Sequence, residues 1–234
     1  MQEVKNMKTW NELPANMQNE EVKKYYDILN KHRMDLLVKR IFDVFISTIL
    51  LIVLSPVMCI LSIWIKLGSK GTIFFRQTRV TRYGRLFTIW KFRTMVSDAE
   101  QLGSQVTTSN DLRITKQGKF LRKSRLDELP QLFNILVGDM SFVGTRPEVP
   151  KYVEKYTPEM LATLLLPAGV TSEASIKYKD EEKLLSGEGN PDDIYVTQIL
   201  PEKMAYNLEN IRTFNFVHEI KTMIRTIIAV AKRG

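Results

Sequence analysis

From Val44 to Ile65 the chain carries no charged residue, and Pro56 stands near the middle of the run. About 20 apolar residues suffice to cross a bilayer as one helix. A proline inside a helix removes a backbone donor and pushes the preceding residue, here Ser55, away from helical angles. The segment therefore has two solutions. One is a spanning helix with its ends on opposite sides; the other is a re-entrant hairpin, broken at Ser55-Pro56, that enters and leaves by one face. Lys39 and Arg40 precede the run, and Lys66 and Lys70 follow it. A spanning helix favours cations on its cytoplasmic flank, so two basic flanks favour re-entry. Each half would have about 11 residues, or 16 Å, and would reach partway into a core roughly 30 Å thick. Carbonyls freed at the break need donors, which Ser47, Ser55 or packed protein can supply.

The rest of the chain is polar enough to fold in water. Hydrophobic residues make up 44% of the 234, so the apolar run is a local feature on a chain long enough for one compact domain. Lys and Arg total 34 against 26 acidic residues, with a pI near 9.5. Nucleic acid, anionic lipid or a phosphorylated substrate would each account for that excess. The single cysteine, Cys59, lies in the apolar run, and His32 and His218 stand apart. That excludes a disulfide framework or cysteine cluster and argues against a histidine zinc site or a Ser-His-Asp triad. Catalysis here has to rest on carboxylates, Lys, Arg and a hard metal. The first 38 residues are polar and the apolar run is too long for a signal h-region, so no cleavable leader is expected.

The pattern predicts an α+β chain, mostly helical, in three parts: a polar extension over 1–38, the membrane hairpin over 39–66 and a cytoplasmic catalytic domain over 67–234. A helix is expected from Glu20 to Val38. Ile73–Val80 and Leu86–Met95 read as two strands joined by "TRYG". Residues 97–117 read as loop, a helix follows from about Gly118, "DMSFVGTRPEVP" reads as loop and "KYVEKYTPEMLATLLL" as helix. In "EIKTMIRTIIAVAKRG", Ile220, Ile224, Ile227 and Ile228 share one helical face among Lys221, Arg225, Lys232 and Arg233. That suits an amphipathic helix lying in the membrane interface, and equally a helix packed on a core.

"SRLDELPQLFNILVG" holds the chemistry. Pro130 fits the first turn of a helix running to Val137, with Gly138 as its stop. Asp127 then lies at or beside the N-cap, where free amides and the macrodipole favour its ionised form. By itself Asp127 could be only a cap and Glu128 a solvated neighbour. Arg122, Lys123 and Arg125 precede the pair, "KFRT" adds Lys91 and Arg93, and "TRP" adds Arg146 held by Pro147. Such cations could hold a diphosphate against a carboxylate nucleophile, with a divalent ion relieving the repulsion. Oxygen-only ligands point to Mg²⁺.

Taken in order, "KRIFDVFIS", "LSP", "FFRQTRV", "KFRTM", "GKFLRKSRLDELPQLFNILVGDMSFVGTRP" and "PAGVTSEAS" resemble the bacterial sugar transferases of the monotopic phosphoglycosyl transferase superfamily. The resemblance covers most of 39–176. It implies a UDP-sugar donor, a covalent phosphosugar on Asp127, and polyprenyl phosphate as acceptor. Glu128 would be the partner carboxylate and, with Asp127, the Mg²⁺ site. Arg122 and Arg146 would lie near phosphates and nucleotide, and Lys91 and Arg93 near the active site. It also implies re-entry, and a monotopic protein on the cytoplasmic face of the bacterial plasma (inner) membrane. Two places depart from the family pattern. Thr145-Arg146-Pro147 replaces the common Pro-Arg-Pro, and Lys179 stands where an arginine is usual, in a region expected to bear on sugar choice.

Two rival classes remain open from the residues. A tethered nucleic-acid binder would show a recognition helix or basic stripe with exposed aromatics, whereas these cations gather around carboxylates and prolines, so no nucleic-acid partner is expected. A non-catalytic membrane scaffold would make the Asp-Glu pair incidental. The N-terminal extension admits a homodimer contact, a membrane-surface helix or a regulatory segment.

Overall fold

The computed structural model describes residues 7–99, 111–178, 181–185 and 190–231. Helix α1 (Glu20–Lys31) is capped by Asn19, whose side chain accepts the Val22 amide, and it ends at His32. Helix α2 (Arg33–Gly68) follows at once. Strands β1 (Phe74–Val80) and β2 (Leu86–Phe92) form an antiparallel hairpin, with Phe74 opposite Phe92 and Val80 opposite Leu86. Then come α3 (Lys116–Lys123), a 3₁₀ turn Leu126–Glu128 and α4 (Gln131–Val137). Strand β3 (Met140–Val143) precedes α5 (Pro150–Val153) and a 3₁₀ segment Met160–Leu165. Strand β4 (Ala168–Thr171) leads into α6 (Glu173–Lys177), α7 (Glu181–Leu184) and α8 (Pro191–Ile194). A π-helical turn, Tyr195–Ile199, joins α8 to α9 (Leu200–Arg212), and α10 (Phe216–Ala231) closes the described chain.

α2 corrects the expected break. It is one helix of 36 residues with Pro56 inside it, about 54 Å long at 1.5 Å per residue. The reason is local: Pro56 cannot donate to the Ile52 carbonyl, and the Ser55 hydroxyl donates to it instead, at 2.8 Å. The element also begins at Arg33, not at residue 39. Among the described residues it is the one helix long and apolar enough to cross a membrane.

The packed face of α2 keeps a 3.6-residue period through the proline. Lys39, Asp43 and Ser47 are buried, Leu50 and Leu54 pack beside Ile135 and Leu132, and Met58, Leu61 and Ile65 pack beside Phe92 and Leu121. Polar contacts hold the same body near the helix start. Lys39 pairs with Glu219, and Arg40 donates to the Ile135 and Leu136 carbonyls at 2.7 and 2.9 Å. Lys66 reaches the Gly71 carbonyl at the other end. The opposite face, with Phe45, Ile49, Ile52, Ile60 and Ile63, is exposed.

The polar extension also packs on the rest of the chain: Met17, Val22, Tyr25 and Leu29 are buried in one cluster with Leu165, Leu208, Ile211 and Phe214. "MSFV", read as loop, pairs as β3 with "AGVT" as β4, in parallel, with Ser141 opposite Gly169. A Cβ on Gly169 would lie 2.2 Å from the Gly144 amide nitrogen, so this close crossing requires glycine. The single helix expected after Pro150 is cut to the short α5 and a 3₁₀ segment, as suits Pro158 in its middle.

In α10, Glu219 and Thr222 are buried while Ile224, Ile227 and Ile228 are exposed. The isoleucines therefore face out together with Lys221 and Arg225, while Glu219 and Thr222 face the protein. Lys232 and Arg233 lie outside the described residues.

Candidate active site

The Asp127-Glu128 pair is built by a sharp change of direction. α3 ends at Lys123, and Arg125 adopts φ 57°, a left-handed conformation uncommon outside glycine. The chain then makes the 3₁₀ turn that carries both carboxylates. α4 starts where Pro130 allows and stops at Gly138, φ +91°, as read from the sequence. It is tied to the hairpin by Asn134, whose amide donates to the Thr88 carbonyl at 2.8 Å and accepts the Trp90 amide at 3.1 Å. β2 therefore places Lys91 next to the pair.

The two carboxylates have opposite surroundings. Glu128 accepts from Arg146 at 2.9 Å and Lys91 at 3.3 Å, with Arg125 at 3.6 Å. Burial would raise its pKa, but the charges of Arg146, Lys91 and Arg125 outweigh burial and hold it well below the usual carboxylate range. Asp127 is 8% exposed, and its Oδ1 has no hydrogen-bond partner among the described residues. Burial first, and then the charge of Glu128, push its pKa up. This corrects the expected cap. Pro130 holds the N-cap position of α4 without a side-chain bond, so Asp127 receives no amides there and is not made more acidic by them.

The cations are shifted too. Burial, followed by the Arg146 charge, lowers Lys91 to about 8. Arg146 is raised by Glu128. All of these groups line one open cleft of about 1720 Å³, which also takes in Arg79, Arg113 and Arg122. Pro147 is on its wall, and the Pro147 carbonyl accepts from Arg79 at 3.0 Å.

Of the residues singled out in the sequence, Asp127, Glu128, Lys91 and Arg146 come together, and Arg122 lies on the same cleft at the end of α3. Arg93 is differently engaged. Its guanidinium donates to the Lys70 and Ser69 carbonyls, the latter at 2.8 Å, and to the Ser69 hydroxyl at 2.9 Å. It clamps the chain leaving α2. Ser55 and Pro56 belong to α2 and serve its backbone. Lys179 lies outside the described residues. Sequence reasoning passed over Arg79 and Glu148; the period-2 alternation of "FFRQTRV" carries a signal for Arg79, which shares a strand face with Gln77.

The donor set suits a small hard cation. Among the described residues no three His, Cys, Asp or Glu side chains cluster as a protein-only metal cage. Mg²⁺, however, commonly takes one or two carboxylates and fills its sphere with phosphate oxygens and water. The orphaned Asp127 oxygen beside Glu128 fits that pattern.

The chain thus combines a helix long and apolar enough to cross a membrane with a carboxylate pair in a cleft lined by cations. A family model described as bacterial sugar transferase matches residues 34–233, and the chain belongs to that family. It is 35% identical over 195 residues to an Escherichia coli K12 protein named UDP-glucose:undecaprenyl-phosphate glucose-1-phosphate transferase, covering 82% of this chain and 39% of the relative. An Aeromonas hydrophila UDP-N-acetylgalactosamine-undecaprenyl-phosphate N-acetylgalactosaminephosphotransferase is 43% identical over 123 residues, 53% of this chain and 29% of that protein. A Salmonella typhimurium undecaprenyl-phosphate galactose phosphotransferase is 39% identical over 149 residues, 57% of this chain and 31% of that protein. The chain thus spans about two fifths or less of the length of these relatives.

Proposed function

We propose that this chain transfers a sugar 1-phosphate from a UDP-sugar to polyprenyl phosphate through a covalent phosphosugar on Asp127, as the first membrane step of a bacterial polysaccharide or glycoconjugate. The observation that carries the reading is the buried, unpartnered Asp127 oxygen inside a ring of cations. A carboxylate oxygen without a hydrogen-bond partner keeps its lone pairs for the substrate, and the cations supply the charge that draws a diphosphate to it.

In the first step an Asp127 oxygen attacks the sugar-linked phosphorus. The bond from that phosphorus to the bridging oxygen breaks, and UMP leaves with the electron pair. In the second step a phosphate oxygen of the polyprenyl phosphate attacks the same phosphorus. Asp127 is released as carboxylate and polyprenyl-diphospho-sugar is formed. Lys91, Arg146 and Arg122 bind the phosphates, and Arg125 supports Glu128. Asp127 and Glu128 would hold Mg²⁺, whose charge screens the anions from one another. Two steps at one carboxylate spare the cleft from holding a soluble and a lipid substrate together.

The lipid substrate sets the location. We read the chain as monotopic and seated on the cytoplasmic face of the bacterial plasma membrane, with α2 meeting it as one unbroken helix. Support comes from α2, whose contacts near both ends are with one folded body. The outward isoleucines of α10 suit the same surface.

The test is intact-mass analysis of purified protein in lipid nanodiscs, given a panel of UDP-sugars, with and without Mg²⁺. One phosphosugar adduct is expected on wild type, removed by polyprenyl phosphate, lost on chelation and lost in Asp127→Asn. Full UMP release by Asp127→Asn would eliminate the mechanism.

A further inference from the structure

The loop that delivers Arg146 to Glu128 is anchored from the far side by a buried charged cluster. The Glu148 carboxylate accepts the Tyr195 hydroxyl. Lys203 donates to that same hydroxyl at 3.0 Å and lies 3.7 Å from the carboxylate. Glu148, Tyr195 and Lys203 are 5%, 2% and 4% exposed. Lys203 also pairs with Glu181, at 3.0 Å.

Stability does not account for this arrangement, since well-packed apolar residues commonly replace a buried ion pair at no loss. Placement does. Residues 146–148 are held at every position: Arg146 by Glu128, the Pro147 carbonyl by Arg79, the Glu148 carbonyl by the Val80 amide at 3.0 Å. The Glu148 side chain is the remaining tether, and it reaches into the helical C-terminal half. Tyr195 opens the π-helical turn, a wide turn that recurs at functional sites. Its ring packs on Tyr152 with centroids 4.7 Å apart. Burial and the Glu148 charge raise the Tyr195 hydroxyl well above its usual pKa, so it stays a neutral donor.

We propose that Glu148, Tyr195 and Lys203 are positioning residues that fix the Arg146 guanidinium against Glu128, and so couple the 191–212 helices to the carboxylate pair. The proposal rests on the phosphotransfer reading of Asp127 and Glu128.

A double-mutant cycle tests it. Tyr195→Phe keeps the ring and removes the hydroxyl. In the full chain in nanodiscs, with Mg²⁺ and the UDP-sugar that wild type turns over best, it is expected to lower kcat/KM for UMP release about tenfold. In an Arg146→Lys background the same change is expected to matter less than about twofold, because the group it positions is already gone. Losses that multiply in the double variant overturn the proposal, and so does an unaffected Tyr195→Phe enzyme. Should thermal unfolding show Tyr195→Phe to be misfolded, Glu148→Gln with Lys203→Met removes both buried charges together and replaces it in the cycle. That pair is expected to unfold near the wild-type temperature and to show the same coupling to Arg146. A wild type inactive on every donor refutes the phosphotransfer reading itself; an active wild type with additive losses refutes this inference alone.

Discussion

Two adjacent carboxylates take different characters here because only one is ion-paired at close range with the surrounding cations. Glu128 is surrounded by guanidinium and ammonium groups, and Asp127 one residue away has an oxygen that touches no donor. The identity of the pair and of its nearest cations was legible in the sequence, since charge and motif order carry that information. The split between them was not, because it depends on where Arg125 turns the chain through its positive φ. Arg93 lines the same cleft but is held differently. A cation near a phosphate motif looks like a ligand until its partners are known, and these partners are the carbonyls after α2. Arg93→Met is therefore expected to cost about 2 kcal/mol of stability by denaturant unfolding, the scale of lost hydrogen bonds to a charged group. The KM for the donor should stay within about twofold of wild type. A raised KM at unchanged stability would restore Arg93 to the phosphate site.

Among the elements, the hairpin, α4 and the Gly138 stop followed from period-2 patterning and from the fixed backbone demands of Pro and Gly. The β3–β4 pair did not, because each strand has four residues and its partner lies far along the chain. Proline in α2 misled for a physical reason: Ser55, the residue it was expected to push out of the helix, supplies the missing donor. Ser55→Ala should then lower stability in detergent by about 1 kcal/mol. In a Pro56→Ala background, where an amide returns to the Ile52 carbonyl, the same change should be nearly silent. Equal losses in both backgrounds would show that the hydroxyl does not serve that carbonyl.

For the whole molecule, the order of the parts was readable and their closeness was not. The polar composition of the N-terminal stretch left its contacts open, and Val22 and Leu29 are fully buried against segments more than a hundred residues away. α2, which we place in the membrane, shows the same closeness. Leu50 and Leu54 share a cluster with Leu132 and Ile135, on a helix that starts three residues after Glu128. Acyl chains that are too short or too long press on a membrane helix at a cost of fractions of a kcal/mol per Å. A helix fused along one face to the floor of a reaction cleft cannot relieve that pressure alone. Turnover in nanodiscs of graded chain length should pass through an optimum, while the same protein in detergent micelles should lose this dependence, making the bilayer itself a regulator of the chemistry.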